Sequence, residues 1–174
     1  MLKTVLLEPG LPAAECQDCG TVLLDMQDWR RWQSKPAPDE SVGAPASTVA
    51  EINDHPHARN CPACSRWMER LWVDASNCFR VDRCVSCQYV WLDRGEWQAL
   101  VEQGLDRVLD TLLSDAGQKK IQQERMQALR TDALRQRHGN DCIDEVLRIR
   151  RWLVGQTHRD EVLALISTAD AWQP

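Results

Sequence analysis

The sequence predicts an α+β fold in which small β-hairpin units come first and a helical C-terminal tail follows. Three observations predict it. Two Cys-x-x-Cys pairs, Cys61/Cys64 and Cys84/Cys87, bracket a stretch with hairpin chemistry. A third pair, Cys16/Cys19, opens a segment that repeats the second half of that arrangement. Beyond about residue 100, apolar residues recur at helical spacing between start and stop signals. The resulting divisions are an N-terminal ribbon-like half with its linker (residues 1–58), a ribbon with a capped helix (59–103) and a helical tail (104–174).

The N-terminal half echoes the later unit at an offset of 68 residues. Cys16/Cys84, Cys19/Cys87, Val22/Val90, Leu24/Leu92, Asp25/Asp93 and Trp29/Trp97 are identical, and Asp28 matches Glu96 in charge. Cys16 to Trp29 therefore reads as knuckle, strand and capped helix, the second half of a ribbon. Its first half is expected upstream, yet residues 1–15 hold no Cys or His. Two sets of ligands can complete a site there: His55 and His57 of the same chain, or cysteines of a second chain. The alternative is a degenerate half with free thiols. Residues 35–58, rich in Pro, Ala and Ser, read as a linker or long loop.

The central unit has the spacing Cys61-x2-Cys64-x19-Cys84-x2-Cys87. A pair two residues apart lets both thiolates point at one ion, and two such knuckles joined by a hairpin complete a tetrahedron. The intervening residues suit that role. Residues 66–73 can form a strand, Asp74-Ala-Ser-Asn77 is turn chemistry, and 78–83 can return with Phe79 and Val81 on one face. This is a zinc ribbon, and four sulfur ligands leave no open position for catalysis. A redox Cys-x-x-Cys wants a strand–helix context instead. An iron–sulfur cluster can use four cysteines, but a hairpin between matched knuckles favours zinc. A unit this small buries too little surface to fold alone, so the metal is expected to supply stability.

Asp93-Arg-Gly-Glu96 reads as a capping box. A helix through Trp97, Leu100 and Val101 is expected to follow it and end near Gly104. A second begins around Leu105, with a break at Gly117, and residues 118–138 read as a polar helix with a weak stripe of Ile121, Leu129 and Leu134. His138-Gly-Asn-Asp141 is a stop followed by a start, and Ile143, Val146, Leu147 and residues 149–153 give an amphipathic helix. Thr157 is expected to cap the last one, with Val162, Leu163, Leu165 and Ile166 facing inward.

Composition narrows the function. A formal charge of −5 leaves no global basic field, which argues against generic DNA binding. The segment Lys119–Arg137 is locally basic, with six Lys/Arg against two Asp/Glu. It reads as a solvated helix face or a phosphate-contacting stripe. The N-terminus is too short and too soon acidic for a signal peptide, and no stretch reaches the roughly 18–20 apolar residues that span a bilayer. A cytoplasmic protein without membrane association is expected, where eight cysteines point to metal rather than disulfides. Eight Trp against one Phe and one Tyr are expected to fill a thin core, with some exposed as a partner surface. Cys78 and Cys142 have no partner at ligand spacing and read as small hydrophobes. His138 and His158 read as helix-end residues with structural roles. No nucleophile–base arrangement or phosphate loop is present in the sequence, so no catalytic residue is assigned.

Cys61-Pro-Ala-Cys64 and Val81-Asp-Arg-Cys84-Val-Ser-Cys87-Gln-Tyr-Val-Trp91-Leu-Asp-Arg-Gly-Glu96 resemble the bacterial transcription-factor-IIB-type zinc-ribbon family. The run Trp91 to Glu96 is the most specific part, and the likeness covers about a quarter of the chain. The resemblance implies Cys61, Cys64, Cys84 and Cys87 as Zn2+ ligands, and the helical tail looks like that of longer members. The sequence departs at Ser65, Gln88 and Tyr89, where the family has glycine or another small residue. The expected role is therefore a structural zinc module that binds another protein, with homo-oligomers allowed. Nucleic-acid binding linked to transcription is the alternative, and a redox protein using Cys16 and Cys19 the third.

Overall fold

The computed structural model describes residues 1–36, 52, 55–75 and 79–168. In chain order the strands are β1 (Leu2–Glu8), β2 (Leu11–Cys16), β3 (Val22–Asp25), β4 (Glu69–Trp72), β5 (Arg80–Cys84) and β6 (Tyr89–Leu92). Helix α1 (Met26–Gln33) follows β3, and after β6 come α2 (Glu96–Glu102), α3 (Leu109–Leu112), α4 (Asp115–His138), α5 (Asn140–Val154) and α6 (Arg159–Ser167). The architecture is α+β, with one antiparallel six-stranded sheet and a helical C-terminal part.

The sheet order, β1-β2-β3-β6-β5-β4, reads the same from either edge once β1–β3 are matched to β4–β6. The central pairing carries that symmetry residue by residue. Val22 pairs with Leu92, and their repeat counterparts, Val90 and Leu24, pair with each other. Leu23 faces Trp91, its own counterpart. The two ribbon halves are thus joined strand to strand about a topological two-fold axis. This joining removes the free inner edge that each three-stranded half would otherwise present.

One core lies under both halves, built from equivalent positions. Leu11 and Phe79, Ala13 and Val81, Val22 and Val90, and Leu24 and Leu92 are all buried. Alternation along the strands puts these residues on one face. Trp29 and Trp97 are buried from the two equivalent helices, and the edge-to-face ring pair is Trp32 with Trp97, at 6.1 Å between centroids. The indole N–H of Trp29 donates to the Asp106 carbonyl at 2.7 Å, so its polar edge is satisfied within the core. The core is therefore larger than that of an isolated ribbon, and the sheet does not depend on metal alone.

The N-terminal strands complete what the sequence reading left half-built. β1 and β2 form a hairpin around Pro9-Gly10, with Gly10 at φ +81°. Val5 pairs with Ala13 as Leu71 pairs with Val81, so β1 matches β4 at an offset of 66. The offset grows to 68 because the second hairpin loop is two residues longer. At an offset of 66, the counterparts of Cys61 and Cys64 fall ahead of residue 1.

Helix boundaries follow their local chemistry, with five corrections. Asp25 caps α1, its carboxylate accepting from the Gln27 N–H at 2.7 Å. The expected capping box on α2 is half realised. Glu96 accepts from the Asp93 N–H at 2.7 Å, but Gly95 at φ +88° is the N-cap and the Asp93 carboxylate turns elsewhere. Gly104, at φ +67°, ends α2 as expected, with the Leu105 N–H reaching back to the Leu100 carbonyl. The break expected at Gly117 comes earlier, at Ser114, and Gly117 lies inside α4 where a Cβ would meet the Thr111 carbonyl. Only Ile121 of the α4 stripe is buried; Leu129 and Leu134 are exposed. Gly139 separates α4 from α5 as expected. His138 closes α4, but His158, not Thr157, occupies the N-cap of α6, and no α6 side chain is buried. Among the described residues, nothing fully covers its apolar side chains.

The chain divides into two compact units, Met1–Arg125 and Met126–Pro174. Most of the expected linker (37–51, 53 and 54), the turn residues Ser76 and Asn77, and Cys78 lie outside the described residues. Cys142, expected to be half-buried, is exposed on α5.

Candidate metal centre

The two knuckles of the central ribbon are built by one backbone device. In the first, the Ser65 N–H donates to the Cys61 carbonyl at 2.8 Å and Ser65 takes φ +58°. In the second, the Gln88 N–H donates to the Cys84 carbonyl at 2.9 Å and Gln88 also takes φ +58°. The left-handed residue after the second cysteine turns both side chains of each pair toward the same side. Ser65 and Gln88 are two of the positions where the sequence departs from the resembled pattern. The chain keeps the turn with non-glycine residues, at a cost of about 1–2 kcal/mol each.

The sheet then brings the knuckles together. Cys61 follows the Asn60–Trp67 bridge, Cys84 ends β5, and Cys87 leads into β6. The sulfurs of Cys61, Cys64, Cys84 and Cys87 all lie within 4.8 Å of one another, and those of Cys64 and Cys84 are 3.6 Å apart. A tetrahedral ion with sulfur at about 2.3 Å has ligand edges of about 3.8 Å, so the cluster fits such an ion closely. Cys61 and Cys84 are buried, with Met68, Tyr89 and Trp91 packed around the group. The Arg66 guanidinium bridges to the Ser86 hydroxyl at 2.9 Å, tying one knuckle to the other. The Cys87 N–H points at the Cys84 sulfur at 3.4 Å, a contact that favours a thiolate.

Electrostatics separates Cys64, Cys84 and Cys87. The backbone N–H of Arg66 holds Cys64 down to about 7. Cys87 is pushed up to about 12, first by its hydrogen bond with Cys64 and then by burial, while burial raises Cys84. Packed thiols cannot all ionise without a cation among them. A bound metal ion removes that conflict by taking four thiolates at once.

Other sequence-singled residues are placed differently. Cys16 and Cys19 sit together on a third knuckle, with Gly20 at φ +70° and its N–H on the Cys16 carbonyl at 2.8 Å. The Cys19 sulfur contacts the Thr21 hydroxyl at 3.1 Å, and that hydrogen bond lowers its pKa. His55 and His57 lie exposed beside each other, ring centroids 6.1 Å apart. Among the described residues, the four-cysteine cluster is the one group of three or more His, Cys, Asp or Glu close enough to share an ion. The histidines are not drawn onto Cys16 and Cys19.

Asp93 has a role that spacing alone did not reveal. Its carboxylate accepts from the His55 N–H at 2.8 Å and from the Arg59 guanidinium at 2.7 Å. Arg59 in turn lies over the Trp91 ring at 5.5 Å. Asp93 therefore anchors the segment that enters the first knuckle. No helix among the described residues is long and apolar enough to cross a membrane. Comparisons with protein-family models, with curated proteins and with solved structures found no match to this chain.

Proposed function

We propose that this chain is a zinc-stabilised protein-interaction module, with a structural ion held by Cys61, Cys64, Cys84 and Cys87. The chemistry supports zinc: an all-sulfur, four-donor set with tetrahedral spacing is one that zinc fills without an open position. The same closure supports a structural role over a catalytic one. On this reading the chain resembles the bacterial transcription-factor-IIB-type zinc ribbons in its metal unit.

The observation that carries the interaction role is the apolar surface of residues 126–168. Val146 and Leu163 are 53% and 42% exposed, and with Ile149, Leu153 and Ile166 they line a groove of about 530 Å³. Arg150 and Arg159 border it. An apolar groove with a cationic rim suits an amphipathic helix that carries acidic residues beside its apolar stripe. Trp29, Trp32 and Trp97 are buried, and among the described residues Trp67 and Trp152 are the exposed indoles.

The test is capture from native extract with the parent chain and with Val146→Asp/Leu163→Asp, followed by calorimetry with the purified partner. At unchanged zinc content, the variant should bind at least about tenfold more weakly, as the loss of two apolar contacts implies. Equal affinity of parent and variant contradicts the reading. Nucleic-acid binding by Lys119–Arg137 is less well supported. Arg125 stacks on Trp72 at 3.5 Å, Arg135 pairs with Asp144 at 2.6 Å and Lys120 with Glu124 at 3.9 Å, so three of the six cations are already engaged.

A further inference from the structure

Three knuckles in this chain share one geometry, and two of them face each other. The third, Cys16-Gln-Asp-Cys19, repeats every element of the device. The Cys16 N–H donates to the Thr21 carbonyl at 2.8 Å, as the Cys61 N–H donates to the Arg66 carbonyl at 2.8 Å. The carbonyl of its first cysteine accepts from the residue that follows the second, and that residue is left-handed, as in both zinc knuckles. Backbone built in this way turns two sulfurs to one side, whether or not a facing pair is present. A degenerate half-ribbon has no need to keep it.

The knuckle opens onto a cavity of about 680 Å³, lined by Leu6, Cys16, Cys19, Arg94, Trp97 and neighbouring residues. Cys19 is exposed, and the adjoining edge strand displays Leu2 and Leu6 at 42% and 68% exposure. Apolar side chains beside an open pair of sulfurs mark a surface that another chain covers. No third ligand among the described residues lies close enough to join the pair. A soft ion held by two sulfurs is under-coordinated and takes further donors.

We propose that Cys16 and Cys19 are half of a second four-sulfur zinc site, closed by the same two cysteines of a second copy of this chain. Two knuckles facing each other around one ion reproduce, between chains, the relation of Cys61/Cys64 to Cys84/Cys87 within the chain. The chemistry is exchange without redox: four thiols lose four protons to solvent as four Zn–S bonds replace the ion's water ligands. The site is separate from the groove of the helical tail and does not depend on it.

Elemental analysis of zinc together with light scattering tests this on the 174-residue chain. The expected result is a dimer with about 1.5 zinc ions per chain, falling to about 1.0 and a monomer in Cys16→Ser/Cys19→Ser. A second variant places a copy of Asn60–Arg66 directly ahead of Met1, where the strand register would put a facing knuckle. It should bind about two zinc ions per chain as a monomer. One zinc per chain in the parent, with Cys16 and Cys19 open to alkylation, overturns the proposal. So does a monomeric parent that keeps a second zinc, because its ion is then closed within one chain. A grafted variant that still binds one zinc overturns the claim that the third knuckle is built for metal.

Discussion

Gly117 shows how closely single atoms are constrained outside the metal centre. A Cβ at this position would lie 2.1 Å from the Thr111 carbonyl oxygen and 2.8 Å from that of Leu112. Both are backbone atoms of the preceding turn and cannot swing away. Gly117→Ala is therefore expected to lower stability by about 3 kcal/mol, the upper part of the range for overpacking. For a chain of this size that is a fall of roughly 6–12 °C in Tm, read by calorimetry. A change under about 1 °C would show that α3 and α4 do not approach as described. The sequence suggested a helix break here because glycine is a poor helix former. The residue is instead required by a close backbone approach, which depends on where α3 lies and cannot be read from residues 115–120 alone. The same limit explains Asp93. Its position before Glu96 marked a cap, but its carboxylate is claimed by His55 and Arg59, 38 and 34 residues away in sequence.

Among the elements, those framed by strong local signals were legible and those framed by pairing were not. Gly104 and Gly139 ended their helices because only a left-handed residue suits those positions. The four cysteines were found by spacing, since ligand geometry leaves a fixed imprint on sequence. The β1–β2 hairpin was missed. Leu2-Lys-Thr-Val-Leu-Leu-Glu8 breaks strict alternation, and the Pro9-Gly10 turn between two apolar runs was its only marker. The ribbon hairpin was recognised but credited with too little core, because β3 was not seen to extend its sheet. That extension has a measurable consequence. The cysteine cluster, with Met68, forms a hydrophobic group separate from the main core. Removal of metal by a chelator should therefore speed hydrogen exchange by at least about a hundredfold in residues 60–68 and 84–89, while the amides of β2, β3 and α1 change less than about threefold. Uniform loss of protection across both groups would mean that the ion holds the whole sheet.

For the whole molecule, the organising feature is a duplicated half-ribbon joined through β3 and β6. The repeat was legible as identities at an offset of 68, but their pairing in space was not, because the offset says nothing about which strands meet. In the helical unit, the amphipathic pattern of α5 and α6 was read correctly as apolar stripes. In α6 it was read wrongly as self-burial, since Leu163, Leu165 and Ile166 remain exposed, whereas α5 buries Ile143 and Leu153. Pattern identifies an apolar face but not the chain that covers it. The central claim is that Cys61, Cys64, Cys84 and Cys87 hold one zinc ion with sulfur alone. X-ray absorption at the zinc edge tests it most directly, using Cys16→Ser/Cys19→Ser so that only this site contributes. The expected result is a single shell of four sulfurs at about 2.3 Å, with one zinc per chain that is lost in Cys84→Ser. Nitrogen or oxygen in the first shell, or a folded chain that binds no zinc, would contradict it.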